Sequence, residues 1–264
     1  MTTTEGSAVV RDGRVLRVQV SRGRHGTLDG EVLDQLHGLL ATVAEQDPAD
    51  PDGVGAVLLV GEGENFCTGG DVRAFAGAAD RKAYVHGLAE RFHGFLQPLV
   101  DSPVPTVAAV RGWAAGAGMS IVCATDIAVA GRSTKLRPAY PGIGFSPDGG
   151  MTWTLPRLVG AARARRILLT DEVLDAAAAL EAGVVATVVD DDDVLAEAER
   201  TAHRLSQGPT AALGRIRGLL TRTWDVELGE QLASEADAIA ASAAGAEGAE
   251  GLTAFGEKRA PRFH

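Results

Sequence analysis

Two glycine-containing clusters are the segments of this chain whose residue types suggest chemistry. The first has the sequence FCTGGD at residues 66–71, and the second has the sequence GWAAGAGMS at residues 112–120. Each follows an apolar run that predicts a strand, at residues 54–60 and 106–110, and each precedes a predicted helix. A turn from strand into helix leaves backbone N–H groups unpaired, and glycine lets a ligand approach them closely. Two such turns facing each other could direct two N–H donors at one oxygen, which is the construction of an oxyanion hole.

The second cluster also contains the start of a dinucleotide-binding fingerprint, with glycines at positions 116 and 118. The third glycine of that fingerprint would fall at position 121, which is Ile121. No acidic ribose-binding residue follows a second strand at the required distance. The sequence therefore argues against a dinucleotide site.

The two clusters, together with later segments, resemble the crotonase (enoyl-CoA hydratase/isomerase) superfamily. The matching segments are residues 66–71, 105–118, 146–150 (SPDGG), 155–160 (LPRLVG) and 257–259 (EKR), with Phe255, Pro261 and Phe263. Their order and spacing hold over nearly the whole chain. The resemblance implies an α/β fold, with a crotonase-like spiral of β-β-α units at residues 1–191 and a C-terminal α-helical trimerisation region at residues 192–264.

In this family an acyl-CoA thioester carbonyl lies between two backbone N–H groups, which fall on Thr68 and Ala117 here. Two fixed donors can stabilise the charge of a thioester enolate, and Ala117 lies near a helix N-terminus, whose dipole favours negative charge. The alternative is that the glycines serve only turns and close packing. The coenzyme A portion is expected to contact Arg24, Gly69, Gly70, Asp71, Gly116 and Lys258. For Lys258 the alternative is a solvated helix end.

The acid and base groups depart from the hydratases of the family, which use two glutamates. Those positions are Ser120 and Tyr140 in this chain. Adding water to a double bond requires one group that activates water and another that delivers a proton. Tyr140 is a candidate acid, with a packed aromatic as the alternative, and Ser120 is expected to face small-residue packing.

Asp148 is the carboxylate that remains in the motif region. Acidic residues at this position serve some enoyl-CoA isomerases as a base and aryl-CoA dehalogenases as a nucleophile. One carboxylate can remove a proton from carbon and return it elsewhere along an allylic system. The alternative is a helix N-cap, because Asp-Gly-Gly before a helix is a common start signal.

The resemblance therefore favours an enoyl-CoA isomerase that uses Asp148. Hydration, thioester hydrolysis and a non-catalytic acyl-CoA-binding homologue remain alternatives, because a fold does not fix a reaction. No cofactor is expected, since coenzyme A is part of the substrate thioester. A homotrimer or a dimer of trimers is the expected assembly.

Composition and charge limit the partners. The 264 residues carry 25 basic and 35 acidic side chains, a net charge of −10, which argues against a nucleic-acid surface. No apolar run approaches the roughly 20 residues of a membrane span, and residues 1–7 lack a secretory apolar segment.

Two cysteines are too few for a disulfide framework, so a cytoplasmic location is expected. No metal site is expected, because His86 and His93 are too far apart on one helix to share an ion.

Periodicity predicts the elements that must position these residues. Strands are expected at residues 15–20, 54–60, 106–110, 127–130 and 184–189. Helices are expected at residues 29–46, 81–100, up to about 124, twice within 149–170, and at 175–182. An Ala-rich helical region begins near residue 192, with breaks at residues 208–209, 223 and 245. Asp71 is expected to cap the short segment that follows it.

Overall fold

The computed structural model describes residues 8–264, and the polar segment 1–7 lies outside the described residues. The strands are β1 Val9–Asp12, β2 Val15–Ser21, β3 Thr27–Leu28, β4 Ala56–Gly61, β5 Gly69–Gly70, β6 Thr106–Val110, β7 Trp113–Ala115, β8 Ile127–Gly131, β9 Lys135–Arg137, β10 Leu174–Asp175 and β11 Thr187–Val189. The helices are α1 Gly30–Ala44, α2 Val72–Gly77, α3 Arg81–Val100, α4 Ala117–Ala124, α5 Met151–Val159, α6 Ala161–Thr170, α7 Ala176–Glu181, α8 Val194–Ser206, α9 Thr210–Arg222, α10 Leu228–Ala244 and α11 Ala246–Glu257.

The largest sheet has six strands in the order β1-β2-β4-β6-β8-β11. The β1–β2 pair is antiparallel and the other neighbours are parallel. A parallel sheet is covered on both faces, so a central strand such as β4, with the sequence AVLLVG, is apolar along its whole length. In β4, Val57 and Leu59 join the main core, whereas Leu58 and Val60 face a second cluster that α8 completes with Ala198. The sheet therefore forms the middle layer of the fold.

Two small sheets lie beside this layer and contain the glycine clusters. One pairs β3 with β5 in parallel, and the other has the order β10-β9-β7. The units β4-β5-α3 and β6-β7-α4 thus each continue from a strand of the large sheet through a short strand into a helix. This repetition is the predicted spiral of β-β-α units.

The C-terminal helices differ in how they meet the core. In α8, Val194, Ala198 and Ala202 are buried against the large sheet. The α9 helix is fixed by Arg217, which is 8% exposed. Its guanidinium donates to an Asp126 carboxylate oxygen at 2.6 Å and to the carbonyls of residues 99, 100 and 102 at 2.7–2.8 Å.

The last two helices bury almost nothing within the chain. No residue of α10 is buried, and Ala254 is the buried residue of α11. Large apolar side chains project from this region, with Phe255 85% exposed and Ile239 71% exposed. No helix within residues 8–264 combines the length and apolarity that a membrane span requires.

Candidate active site

Backbone hydrogen bonds join the two glycine clusters directly. The Cys67 N–H donates to the Trp113 carbonyl at 3.2 Å, and the Ala115 N–H donates to the Cys67 carbonyl at 2.9 Å. A Cβ atom at Gly118 would overlap the Cys67 carbonyl, so this contact requires glycine. The predicted approach of the two turns is therefore present in the structure.

The second cluster presents an unpaired N–H group at the start of α4. Ala117 is the first residue of this helix, and Gly116 precedes it with a φ of 55°. The first N–H groups of a helix lack intrahelical acceptors. Within residues 8–264 no acceptor is hydrogen-bonded to the Ala117 N–H, so this donor is available to a ligand.

The first cluster corrects the assignment of Thr68 as the other donor. The Thr68 N–H donates to the Gly26 carbonyl at 2.7 Å, and its hydroxyl donates to the His25 carbonyl at 3.0 Å. Both groups are used inside the protein. Matching the chain to a motif position by position did not reveal this, because consecutive amides of an extended segment point in different directions.

Cys67 packs in the hydrophobic core of the fold. Its side chain is fully buried, and this burial raises the pKa of the thiol to about 12, although a hydrogen bond with the Gly69 backbone acts in the opposite direction. The thiol therefore stays protonated at neutral pH and is not an activated nucleophile.

Both clusters open onto one cavity of about 780 Å³. The cavity is lined by several of the site residues predicted from the sequence, namely Thr68, Gly69, Gly70, Gly116, Ala117, Tyr140 and Asp148. Most of the remaining lining is apolar and comes from β3, the first turn of α1, helices α2 and α3, and the segment 143–147. These side chains include Leu28, Leu33, Phe75, Val85, Leu88, Ala89, Phe92, Ile143 and Phe145. A largely apolar cavity with a few convergent polar groups is typical of a small-molecule site.

Asp148 lies on the cavity wall and is held by Tyr140. The Tyr140 hydroxyl donates to Oδ1 of Asp148 at 2.6 Å, and the buried Ser120 hydroxyl lies 3.4 Å from the Tyr140 oxygen. The N-cap of α5 is Gly150, and no side chain caps that helix. The N-cap interpretation of Asp148 is therefore wrong, and the carboxylate is available at the cavity.

Tyr140 is mostly enclosed, and its environment opposes ionisation. Burial raises the pKa of Tyr140 above the ordinary value of 10.0, and the nearby Asp148 carboxylate raises it further. The phenol therefore stays protonated and donates a hydrogen bond to Asp148 throughout the neutral range.

This environment gives a prediction for alkaline pH. In a Tyr84→Phe variant, Tyr140 is the one tyrosine left of two, and its absorbance titration should have a midpoint above pH 10. Because folding disfavours the phenolate, the stability from this group is complete below about pH 10 and declines as the pH rises further. Adding Asp148→Asn should lower the midpoint, since it removes the neighbouring charge. A midpoint at or below pH 10 in the Tyr84→Phe variant would contradict this account.

Three predicted ligand contacts lie away from the cavity. Asp71 caps α2 by accepting from the Arg73 N–H at 2.9 Å, as expected of a cap. Arg24 forms an exposed ion pair with Glu64 at 3.0 Å. Lys258 is the left-handed C-cap of α11 and is not part of the cavity lining. These side chains do not contribute to the pocket within this chain.

Other cations do reach the cavity, and sequence reasoning did not single them out. Arg81 and Lys82 at the start of α3 are part of the lining, as is His86 one turn later. The spacing of residues 81, 82, 85, 86, 88, 89 and 92 places them along one side of a helix. That periodicity was the available signal, although it does not reveal which side faces a ligand.

No cluster of three or more His, Cys, Asp or Glu side chains in the described part of the chain is arranged to hold a metal ion.

The family model for enoyl-CoA hydratase/isomerase matches residues 11–264. The chain is 36% identical to 1,2-epoxyphenylacetyl-CoA isomerase of Escherichia coli K12 over 238 residues, covering 87% of this chain and 88% of the relative. It is 32% identical to 4-chlorobenzoyl coenzyme A dehalogenase-1 of Arthrobacter sp. over 216 residues, covering 81% of this chain and 74% of the relative.

The solved structures agree with the sequence relatives. The crystal structure of an enoyl-CoA hydratase from Polaromonas sp. JS666 superimposes with a TM-score of 0.89 at 30% identity, covering 96% of this chain and 98% of that one. The predicted crotonase fold is thereby confirmed. The chain belongs to the enoyl-CoA hydratase/isomerase family of enzymes.

Proposed function

We propose that this protein is an enoyl-CoA isomerase that moves a double bond with Asp148 as its proton carrier. The observation that carries the proposal is the Asp148 carboxylate on the cavity wall, with Ser120 and Tyr140 in place of the two hydratase glutamates. One base suffices to take a proton from one carbon and return it to another. Hydration needs a second acid–base group of suitable pKa, whereas the Tyr140 phenol remains protonated.

The proposed reaction has two proton transfers. An Asp148 oxygen removes the α proton of a β,γ-enoyl thioester, and the electrons of that C–H bond form a dienolate. The O–H of protonated Asp148 exchanges with solvent in the open cavity, and Asp148 then delivers a proton to the γ carbon, which gives the α,β-enoyl thioester and restores the carboxylate. Tyr140 holds Oδ1, and Oδ2 accepts no hydrogen bond from residues 8–264, so Oδ2 is the oxygen that carries the proton.

The negative charge of the dienolate resides on the thioester oxygen. We assign its two donors to the N–H groups of Ala117 and Gly70. The Thr68 N–H donates to the Gly26 carbonyl, and the Gly69 backbone is hydrogen-bonded to the Cys67 thiol. Gly70 is the next residue and also lines the cavity. A Cβ atom at Gly69 would lie 3.6 Å from the Ala117 nitrogen, so the two turns are close enough to share one oxygen.

The proposed substrate is an acyl-CoA thioester, and no separate cofactor is required. The apolar lining suits the acyl chain, and Arg81 and Lys82 are the cations that would meet the phosphates of coenzyme A. These two residues replace Arg24 and Lys258 as the candidate contacts within one chain.

Isotope exchange tests the proposed function. In deuterated water, the protein should convert a β,γ-enoyl-CoA to its α,β isomer and place deuterium at the γ carbon. Mass spectrometry and proton NMR locate the label. Formation of a β-hydroxyacyl-CoA instead would favour hydration. Binding of a panel of enoyl-CoAs without turnover or exchange would favour a non-catalytic role.

We also propose that α10 and α11 assemble the protein into a trimer or a dimer of trimers. Helices that expose Leu228, Ile239, Leu252 and Phe255 to solvent leave apolar surface that a second copy would cover. Light scattering at micromolar concentration should give three or six chain masses. Ile239→Glu should shift the mass downward, whereas Glu235→Gln on the same helix should not. A monodisperse wild-type monomer would refute the assembly.

A further inference from the structure

A single peptide group next to Asp148 is held from both sides by side chains of two helices. The Asp148 carbonyl accepts from the Ser120 hydroxyl of α4 at 3.1 Å. The Gly149 N–H, at the other end of the same peptide, donates to Nε2 of His93 of α3 at 3.2 Å. The Asp148 carbonyl also accepts from the Met151 N–H at 3.3 Å, so each polar group of this peptide has a side-chain partner and the carbonyl has a backbone partner as well.

The backbone at this peptide needs such restraint. Gly149 has a φ of +62°, and a Cβ atom there would overlap the Phe92 ring and lie 2.9 Å from the Ser120 Cβ. Glycine is the residue that fits, yet glycine also leaves the backbone most free to rotate. The two hydrogen bonds fix ψ of Asp148 and φ of Gly149, the torsion angles on the two sides of the peptide. These angles determine the direction of the Cα–Cβ bond of Asp148 relative to the cavity.

We propose that Ser120 and His93 are positioning residues that clamp the peptide between Asp148 and Gly149 and so hold the carboxylate in its reactive place. The inference rests on the proposed function, in which Asp148 moves the proton. Ser120 thereby has a defined task at the position where hydratases carry a glutamate. His93 acts as a neutral acceptor through Nε2, because a protonated ring nitrogen cannot accept from the Gly149 N–H.

The geometry argues against a direct acid–base role for either residue. The Ser120 hydroxyl is fully buried, and the Asp148 carbonyl, at 3.1 Å, is the shortest of its hydrogen-bond contacts. The Nε2 lone pair of His93 is occupied by the Gly149 N–H, and His93 is not among the residues that line the cavity. Both side chains therefore act through the backbone that carries Asp148.

The tautomer of His93 tests the clamp without any assay of activity. With histidine labelled with ¹⁵N, neutral His93 should carry its proton on Nδ1, leaving Nε2 free to accept. The spectrum of a His93→Gln variant identifies the signal. The Gly149 amide should also exchange with deuterated water faster in His93→Leu than in wild type. An Nε2–H tautomer in the wild-type protein, or unchanged Gly149 exchange in His93→Leu, would overturn the proposal.

Kinetics test the consequence for Asp148. His93→Leu and Ser120→Ala should each lower kcat by about tenfold or more with little change in KM, since small displacements of a catalytic group are costly. His93→Gln keeps an acceptor and should retain most of the rate. The double variant should be little worse than the poorer single one, because either change releases the same peptide. Gln97→Leu, one turn further along α3, is the matched control.

The measurements distinguish failure of the clamp formed by Ser120 and His93 from failure of the proposed isomerase activity. A wild-type protein that binds acyl-CoA but never exchanges a proton would refute the isomerase, and the tautomer and amide exchange would still decide the clamp. An active wild type with an equally active His93→Leu variant would overturn the clamp and leave the isomerase intact. Equal losses in His93→Gln and His93→Leu would also overturn it.

Discussion

Asp148→Asn is expected to lower isomerase turnover by about 10²–10⁴, which is the usual contribution of a positioned acid–base group. The amide has nearly the same shape as the carboxylate, and its oxygen can still accept the hydrogen bond from the Tyr140 hydroxyl, whose oxygen lies 2.6 Å from Oδ1 in the wild-type protein. It cannot take a proton from carbon. Because α5 is capped by Gly150 rather than by Asp148, the melting temperature should change little.

A matched control removes the same charge elsewhere. Asp175→Asn eliminates a carboxylate that caps α7 by accepting from the Ala178 N–H at 2.8 Å, and the amide can continue to cap. Turnover of this variant should equal that of wild type. If Asp148→Asn were folded and fully active, Asp148 could not be the proton carrier, and catalysis would have to proceed without it.

The long elements could be predicted from the sequence because their periodicity is strong. The strand at residues 106–110 and the helix at residues 81–100 have the predicted bounds. The strand expected at 184–189 is shorter, since β11 starts at Thr187. The Val184 and Val185 N–H groups instead donate to the Ala179 carbonyl at the end of α7. Both valines are buried, so their apolar character indicates burial in the core and not pairing with a neighbouring strand.

The shortest strands could not be predicted, although they shape the site. Strands β3 and β5 have two residues each, which is too few to show a period. They are defined by their pairing with each other, at a large separation in the chain. The same limit explains the correction at Thr68, because its amide partner, the Gly26 carbonyl, belongs to the segment before β3.

The role of Asp148 could not be decided from the sequence for a different reason. The run Asp-Gly-Gly before a helix is compatible with an N-cap and with a base, since both place a carboxylate near the helix start. The structure separates the two, because Gly150 adopts the left-handed conformation and becomes the cap itself. The carboxylate two residues earlier then meets Tyr140, a contact that depends on the turn at residues 141–147.

Ala117→Pro is expected to lower turnover by about 10²–10³, the loss seen when one oxyanion donor is removed. Ala117 is the first residue of α4, and proline is favoured at this helical position because its φ suits the helix and the N–H there is unpaired. The substitution therefore deletes the donor without breaking a helical hydrogen bond.

The control for this variant is Ala117→Gly, which keeps the N–H and removes the methyl group. Its turnover should stay within a few-fold of wild type, since a backbone donor does not depend on the side chain. The affinity of each variant for a saturated acyl-CoA, measured by calorimetry, shows how much of any loss comes from the ring carbon that replaces the amide hydrogen. A folded Ala117→Pro protein with unchanged turnover would remove Ala117 from the oxyanion hole and leave the charge of the dienolate without its helix-terminal donor.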